Sequence, residues 1–223
     1  MPENVIVSWS GGKDSALALQ KVMDDEKYEV KGLFSTVSEK SLRLPVHEVN
    51  ENLLKNQADA IGLPLEVVTM PERASNEVYD EVMKRLFHGF KDSNIDRVVY
   101  ADLFLEDIRA FRDDLLKKNG MTGIYPLWGL SSHKVAEEVI EKGFQAIITT
   151  VDTEKLNERL PGVRYDRKFL HSLSSEVDPC GEYGEFHTFV FDGPLFYEPL
   201  KIQQGERFET LSGRFSHVEM NEM

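Results

Sequence analysis

The residues Ser10 to Ser15, Ser-Gly-Gly-Lys-Asp-Ser, follow an apolar run and precede a stretch with helical periodicity. The adjacent glycines let backbone N–H groups approach an anion, and the positive end of the following helix faces it. Lys13 adds a cation, and Asp14 can hold a Mg²⁺ ion between phosphate oxygens. The spacing fits neither the Walker loop nor the dinucleotide fingerprint. The alternative to a phosphate loop is a turn in which Ser10 or Asp14 only caps a helix.

A second group of reactive side chains lies near the carboxyl end, in the Gly-rich segment from Val177 to Phe196. Glu182, Glu185 and His187 alternate there with glycines, and acids of this kind are poor candidates for an apolar core. Together they can bind an amine or ammonium, hold a metal ion or take a proton, but their spacing fits no specific zinc motif. The alternative is a hairpin whose acids are solvated.

Further candidates follow the predicted strands. Asp102 ends the fourth strand, where it is placed to meet a ribose hydroxyl or a metal ion, or to cap a turn. Arg43 and His47 follow the second strand and can contact phosphate or substrate, or lie in a surface loop. Arg164, in a small basic cluster, can hold a substrate carboxylate or pair with surface acids.

Bulk composition excludes several classes of protein. The net charge of -13 over 223 residues argues against a nucleic-acid partner, because phosphate backbones are met by clustered Lys and Arg. The single cysteine, Cys180, rules out an intrachain disulfide and a cysteine-based metal cluster. No signal peptide is recognisable and no run of apolar residues is long enough to span a membrane. We therefore expect a cytoplasmic protein.

Short apolar runs alternate with amphipathic stretches as far as Trp128. This alternation predicts a doubly wound α/β fold, with a five-stranded parallel sheet and helices on both faces. After Trp128 the pattern changes to a helix, a strand, a short helix and a tail rich in aromatic and β-branched residues. We predict two domains, residues 1–129 for nucleotide binding and residues 130–223 as a smaller α+β lobe. The segment Ser10 to Ser15 would then lie beyond the carboxyl end of the first strand, where such sheets bind ligands.

The motifs resemble those of a known family. Ser10 to Ser15 is similar to the S-G-G-x-D-S loop of the PP-loop (N-type) ATP pyrophosphatases. Val177 to Phe196 resembles the C-terminal signature of the diphthine–ammonia ligase family, C-G-E-x-G-E-[FY]-H-T followed by D-G-P, in the form of its bacterial-type relatives. Tyr100 to Arg112, Pro126 to Gly129 and Val163 to Leu170 also look like segments of this family, so the resemblance covers nearly the whole chain.

The resemblance implies that ATP is cleaved between its α and β phosphates, that a carboxylate is adenylylated, and that ammonia then displaces AMP to form an amide. It implies ATP and Mg²⁺ as cofactors, with Asp14 as the metal ligand. The implied partners are ammonia or another nitrogen donor and a carboxylate on a modified translation factor or a small molecule; the sequence is compatible with a homodimer. Residues implied to contact the nucleotide are Ser10, Gly11, Gly12, Lys13, Asp14, Ser15 and Asp102. Residues implied in catalysis are Lys13, Asp14, Glu182, Glu185 and His187. Residues implied to bind the substrate are Arg164, Asp166, Glu182 and Glu185.

The chain departs from the family pattern at two positions, and two other functions stay open. Ala101 and Val163 stand where relatives usually carry glycine, which affects the nucleotide pocket and the backbone before Arg164. Relatives with the same loop thiolate tRNA, a reaction that needs sulfur-carrying cysteines and an electropositive face; one cysteine and a charge of -13 oppose it. The second alternative is a nucleotide-binding regulator without chemistry.

Overall fold

Nine strands and six α-helices follow one another in the computed structural model, which describes residues 1–223. The first part contains β1 (Glu3–Ser8), α1 (Lys13–Met23), β2 (Tyr28–Ser38), α2 (Glu51–Ile61), β3 (Leu65–Met70), α3 (Asn76–Asp92), β4 (Arg97–Val99), α4 (Glu106–Lys118) and β5 (Thr122–Ile124). The second part contains α5 (Ser132–Glu141), β6 (Gln145–Asp152), α6 (Arg167–Ser172), β7 (Phe186–Asp192), β8 (Ile202–Thr210), a 3₁₀ turn (Leu211–Gly213) and β9 (Phe215–Glu222).

The first five strands form one parallel sheet in the order β3-β2-β1-β4-β5. Side chains alternate along β1: Val5 and Val7 join a core with α1, α2 and α5, whereas Ile6 joins a second core with α3 and α4. Helices therefore cover both faces, and the predicted doubly wound five-stranded sheet is confirmed. Because β1 lies between β2 and β4, the order of strands reverses there, and the crevice beyond their carboxyl ends is the expected ligand site.

Local signals in the sequence fix the ends of the helices next to this crevice. The Asn50 side chain accepts a hydrogen bond from the Asn52 N–H at 2.8 Å and so caps the start of α2. Gly62 ends the same helix in the left-handed conformation, with φ of 79°. Ser75 caps α3 in the same way as Asn50 caps α2. Capping residues therefore mark the starts of α2 and α3, and a glycine marks the end of α2.

The remaining strands form an antiparallel sheet in the order β7-β6-β9-β8, which confirms the smaller α+β part. The two sheets share one hydrophobic core, to which α1 contributes Leu17 and β7 contributes Phe189. The edge of β7 also meets the turn after β1, where the Val190 N–H donates to the Gly11 carbonyl at 2.9 Å. The boundary between residues 129 and 130 stays a prediction. None of the helices combines the length and apolar character that a membrane span requires.

Candidate active site

A cavity of about 250 Å³ lies beyond the carboxyl ends of β1 and β4. Most of its lining comes from the segment Ser10 to Ser15, the residues after β4 and the Gly-rich C-terminal segment, with His47 and Arg112 added from elsewhere in the chain. A second cavity of about 370 Å³ adjoins it and carries more apolar side chains, among them Phe34, Met83 and Phe111. The two cavities share Ser8, Ser10, His47, Tyr100 and Arg112. Together they have the volume of a typical cofactor site, about 300–1,000 Å³.

The turn after β1 requires its glycines because other groups approach the backbone closely. Gly11 has φ of +71°, and a Cβ there would lie 2.6 Å from the Gln57 Oε1 atom. The buried Gln57 side chain accepts from the Trp9 indole N–H at 2.9 Å and donates to the Gly11 carbonyl at 2.9 Å. Gly12 begins α1 without a side-chain cap. The sequence alternative, in which Ser10 or Asp14 serves only as a helix cap, is therefore not what the structure shows.

Lys13 does not extend into open solvent at the phosphate turn. Its side chain is only 2% exposed, and its ammonium donates to Asp14 Oδ2 at 2.8 Å and to the Cys180 carbonyl. The same ammonium lies 5.2 Å from the ring centres of Tyr165 and Phe186. Burial is the largest single effect and lowers the pKa of Lys13, but Asp14, Cys180 and Glu182 together outweigh burial, so the pKa lies above its ordinary value. Lys13 thus ties the turn to the C-terminal segment.

Asp102 lines the cavity and is paired with Arg112, a residue that no sequence motif had marked as functional. The Arg112 Nε atom of α4 is 3.0 Å from Asp102 Oδ2, and its guanidinium lies 4.1 Å from the Tyr100 ring centre. Burial raises the pKa of Asp102, and Arg112 counteracts it. The one available signal for Arg112 was its place at the end of the family-like segment from Tyr100.

Glu182 joins the C-terminal segment to the end of β4. Its Oε1 atom accepts the Leu103 N–H at 2.8 Å. Burial, together with the negative charges of Asp14 and Asp102, raises the pKa of Glu182 to about 7. The carboxyl group therefore changes protonation near neutral pH, which is the property of a general acid or base.

His187 also lines the cavity, where its ring lies 4.2 Å from the ring of His47, centre to centre. Burial lowers the pKa of His47 to about 4 and holds the pKa of His187 well below its ordinary value. Both imidazoles are therefore neutral at pH 7. The sequence left open whether His47 contacts a ligand or lies in a surface loop. The structure places it in the lining of the cavity.

Glu185 does not line this cavity. Its side chain is 1% exposed and turns into the protein, where Oε1 accepts the Asp178 N–H at 3.2 Å and lies 3.9 Å from the Lys155 ammonium. This position does not support the catalytic and substrate-binding roles implied for Glu185, because the turn through Gly181 and Gly184 places Glu182, and not Glu185, at the cavity. Its contacts instead hold the turn from Asp178 in place.

Arg164 and Asp166 also lie apart from the cavity. Arg164 pairs in the antiparallel sense with Ile147 of β6, and its guanidinium donates to Gln145 Oε1 at 2.9 Å. The Asp166 carboxylate accepts the Phe169 N–H at 2.8 Å and caps α6. These contacts within the protein account for the positions of both side chains, and no ligand is needed to explain them. The geometry around the cavity does not support the prediction that they bind substrate.

Cys180 lines the cavity but is almost fully buried, and its thiol donates to the Ser132 carbonyl at 3.3 Å. Burial and the nearby Asp14 carboxylate raise the pKa of Cys180 far above its ordinary value. The thiol is therefore protonated and a poor nucleophile. This environment does not suit the sulfur transfer that the tRNA-thiolation alternative requires.

Comparisons with known proteins point to one family along nearly the whole chain. Residues 3–123 match the family model described as diphthamide synthase N-terminal domain, and residues 131–222 match the one described as diphthamide synthase C-terminal domain. Three similar curated proteins are each named diphthine–ammonia ligase. The one from Homo sapiens is 27% identical over 173 residues, 71% of this chain and 65% of its own. The one from Rattus norvegicus is 26% identical over 221 residues, 88% of this chain and 82% of its own.

The third, from Schizosaccharomyces pombe, is 26% identical over 112 residues, which are 48% of this chain and 18% of its own. The chain thus spans less than two thirds of the length of the yeast and human relatives. The two family matches leave only a short stretch between residues 123 and 131 and a few terminal residues uncovered. The chain belongs to the diphthamide synthase family.

Proposed function

We propose that the protein is an ATP-dependent ligase that joins ammonia to a substrate carboxylate and forms AMP and pyrophosphate. The observation that carries the proposal is one cavity in which Asp14 of the phosphate turn faces Glu182 of the C-terminal segment. The relatives named diphthine–ammonia ligase support diphthine as the type of carboxylate.

The two adjoining cavities match the two chemically different parts of ATP. At the start of α1 the Lys13 N–H donates to the Thr188 hydroxyl at 3.1 Å, whereas the N–H groups of Asp14 and Ser15 have no helical partner and suit the pyrophosphate part. The Ser10 and Ser15 hydroxyl groups, 3.1 Å apart, lie at the same turn. The more apolar cavity beside Phe34, Met83 and Phe111 suits the adenine base. We infer that ATP spans both, with its α-phosphate near their shared wall.

The chain offers a partial set of ligands for Mg²⁺. Asp14 Oδ1 is buried without a hydrogen-bond partner, so it is free to bind a cation. No group of three or more His, Cys, Asp or Glu side chains is placed to hold a metal ion by itself. The residues thus fit an ion carried mainly by phosphate oxygens, with Asp14 as its protein ligand. When bound, Mg²⁺ would neutralise charge on the departing pyrophosphate.

In the first step, a carboxylate oxygen of the substrate forms a bond to the α-phosphorus while the bond from that phosphorus to the bridging oxygen breaks. The turn from Ser10 to Ser15 holds the pyrophosphate that leaves. In the second step, the ammonia nitrogen bonds to the acyl carbon and the bond from this carbon to the AMP oxygen breaks. The nitrogen then loses one proton, and we infer that Glu182 accepts it. A general base contributes roughly 10²–10⁴-fold to such a step.

Product analysis tests the proposal. The protein is incubated with ATP, Mg²⁺, ammonia and a protein that carries diphthine, and the nucleotide products are separated. We expect AMP and pyrophosphate, and we expect Glu182→Gln to lower amide formation while ATP binding persists. Glu176→Gln, an exposed change in the neighbouring segment, is the matched control. Unchanged ATP despite measurable binding would favour the non-catalytic regulator instead.

A further inference from the structure

His47 and His187 form a closely packed pair between the two cavities, outside the phosphate turn. Their ring centres are 4.2 Å apart and their planes are inclined by 38°. His47 lines both cavities, whereas His187 lines only the one that holds the phosphate turn. The pair therefore lies at the junction of the two cavities.

Each ring has a nitrogen that the protein leaves without a partner. His47 Nδ1 and His187 Nε2 are buried and make no hydrogen bond. Buried polar atoms are nearly always paired in native proteins, so an unpaired group at a ligand cavity needs an explanation. The nearby Lys13 ammonium, in addition to burial, disfavours a positive charge on both rings. The pair consists of neutral imidazoles, each with one N–H to donate.

The loop that carries His47 is held in an unusual backbone conformation. Val46 and Glu48, on either side of His47, have φ of 67° and 54°. A positive φ is a genuine outlier for a β-branched residue such as valine, and such strain concentrates at functional sites. The Thr150 hydroxyl fixes the loop by donating toward the carbonyls of Val46 and His47, at 3.2 and 3.3 Å. The Arg43 guanidinium secures the same loop through its ion pair with Glu219.

The position of the pair indicates which part of a nucleotide it meets. A nucleotide with its base in the apolar cavity and its pyrophosphate at Ser10 to Ser15 must place its α-phosphate at the wall that both cavities share. His47 is part of that wall. A neutral N–H donor suits a non-bridging phosphate oxygen whose negative charge grows as a carboxylate attacks.

We propose that His47 is a catalytic residue that donates a hydrogen bond to the α-phosphate, and that His187 is a positioning residue that stacks against its ring. This inference rests on the proposed function only for the reaction step; contact with the α-phosphate is testable by binding alone. It adds to the phosphate turn a donor that lies on a different loop.

Nuclear magnetic resonance of protein labelled with ¹⁵N-histidine tests the contact. The chain has six histidines, and His47→Gln and His187→Gln assign the two signals of interest. AMP, ATP, adenosine and pyrophosphate are added in turn to the wild-type protein. We expect AMP and ATP to shift the His47 nitrogens by more than adenosine or pyrophosphate does, because only the first two carry an α-phosphate. An unchanged His47 signal at saturating AMP and ATP would overturn the inference. If a variant fails to fold, the absence of a shift in all six histidine signals would overturn it equally.

A rate measurement separates the catalytic role from a structural one. We expect His47→Gln to slow AMP formation by about 10²-fold, the usual effect of losing one oxyanion donor, with a much smaller change in ATP affinity. His88→Gln, on the exposed face of α3, is the control. If the wild-type protein forms AMP and His47→Gln does so equally fast, the catalytic role is wrong. If ATP shifts the His47 signal but no acceptor yields AMP, the proposed function fails and the contact stands. If ATP does not bind, both fail.

Discussion

Replacing Glu182 with glutamine should change the pH dependence of folding stability in a predictable direction. The Glu182 carboxyl accepts the Leu103 N–H at 2.8 Å, a bond that a glutamine carbonyl oxygen can also accept. Glutamine has the same shape as the protonated acid but cannot ionise. The substitution therefore isolates the cost of the negative charge that Glu182 carries beside Asp14 and Asp102.

The magnitude follows from the raised pKa. Below pH 4.5 both the folded and the unfolded chain keep the proton on Glu182. Between pH 4.5 and about 7 only the folded chain keeps it. The free energy of unfolding therefore falls as the pH rises through this range. A pKa raised from 4.5 to about 7 corresponds to about 3 kcal/mol at most. The cavity is partly open to water, which screens the charge, so we expect about 1–2 kcal/mol.

The assay is urea unfolding of the wild-type protein and of Glu182→Gln at pH 5 and at pH 8. We expect the glutamine variant to gain about 1–2 kcal/mol relative to the wild type between the two pH values. Glu176→Gln, whose carboxyl is exposed, should show no such gain. A difference that does not vary with pH, or a variant that becomes relatively less stable at pH 8, would refute the reasoning about Glu182.

Three further predictions concern the phosphate turn and the residues beneath it. Gly11→Ala should cost about 1–3 kcal/mol in urea unfolding and weaken ATP binding in calorimetry, because φ is +71° and Gln57 is too close; full stability would contradict this geometry. Lys13→Met should destabilise the fold by roughly 3 kcal/mol, since it leaves Asp14 without its buried partner, and an unchanged urea midpoint would contradict the pairing. Cys180 should resist alkylation by iodoacetamide at pH 8 until urea unfolds the chain, as mass spectrometry can follow; rapid labelling of the native protein would show that the thiol is accessible.

The sequence predicted the sheet and the place of the site because both depend on local patterns. The alternation of apolar runs and amphipathic stretches requires a parallel sheet, and a Gly-rich turn after the first strand then falls at its carboxyl edge. Ser10 to Ser15, Asp102, Glu182 and His187 do lie around one cavity. Their roles in binding and catalysis stay predictions.

What the sequence did not reveal depends on contacts between distant parts of the chain. Glu182 and Glu185 cannot be told apart in the sequence, whereas the folded turn, with φ of 72° at Gly181 and 79° at Gly184, places only Glu182 at the cavity. The sequence predicts Lys13 as a phosphate ligand, yet its ammonium donates a hydrogen bond to the Cys180 carbonyl. The Gln57 contacts with Trp9 and the phosphate turn bridge segments more than 40 residues apart, which no local pattern records.

Transfer of ¹⁸O tests the central claim most directly. The diphthine carboxylate is labelled with ¹⁸O, and the protein is supplied with ATP, Mg²⁺ and ammonia. If the carboxylate attacks the α-phosphorus at the cavity between Asp14 and Glu182, one ¹⁸O atom must leave with AMP when ammonia displaces it. We therefore expect AMP that carries one ¹⁸O atom and pyrophosphate that carries none. The amide keeps the other oxygen of the carboxylate. Formation of ADP and phosphate, or of AMP without the label, would contradict adenylylation of the carboxylate.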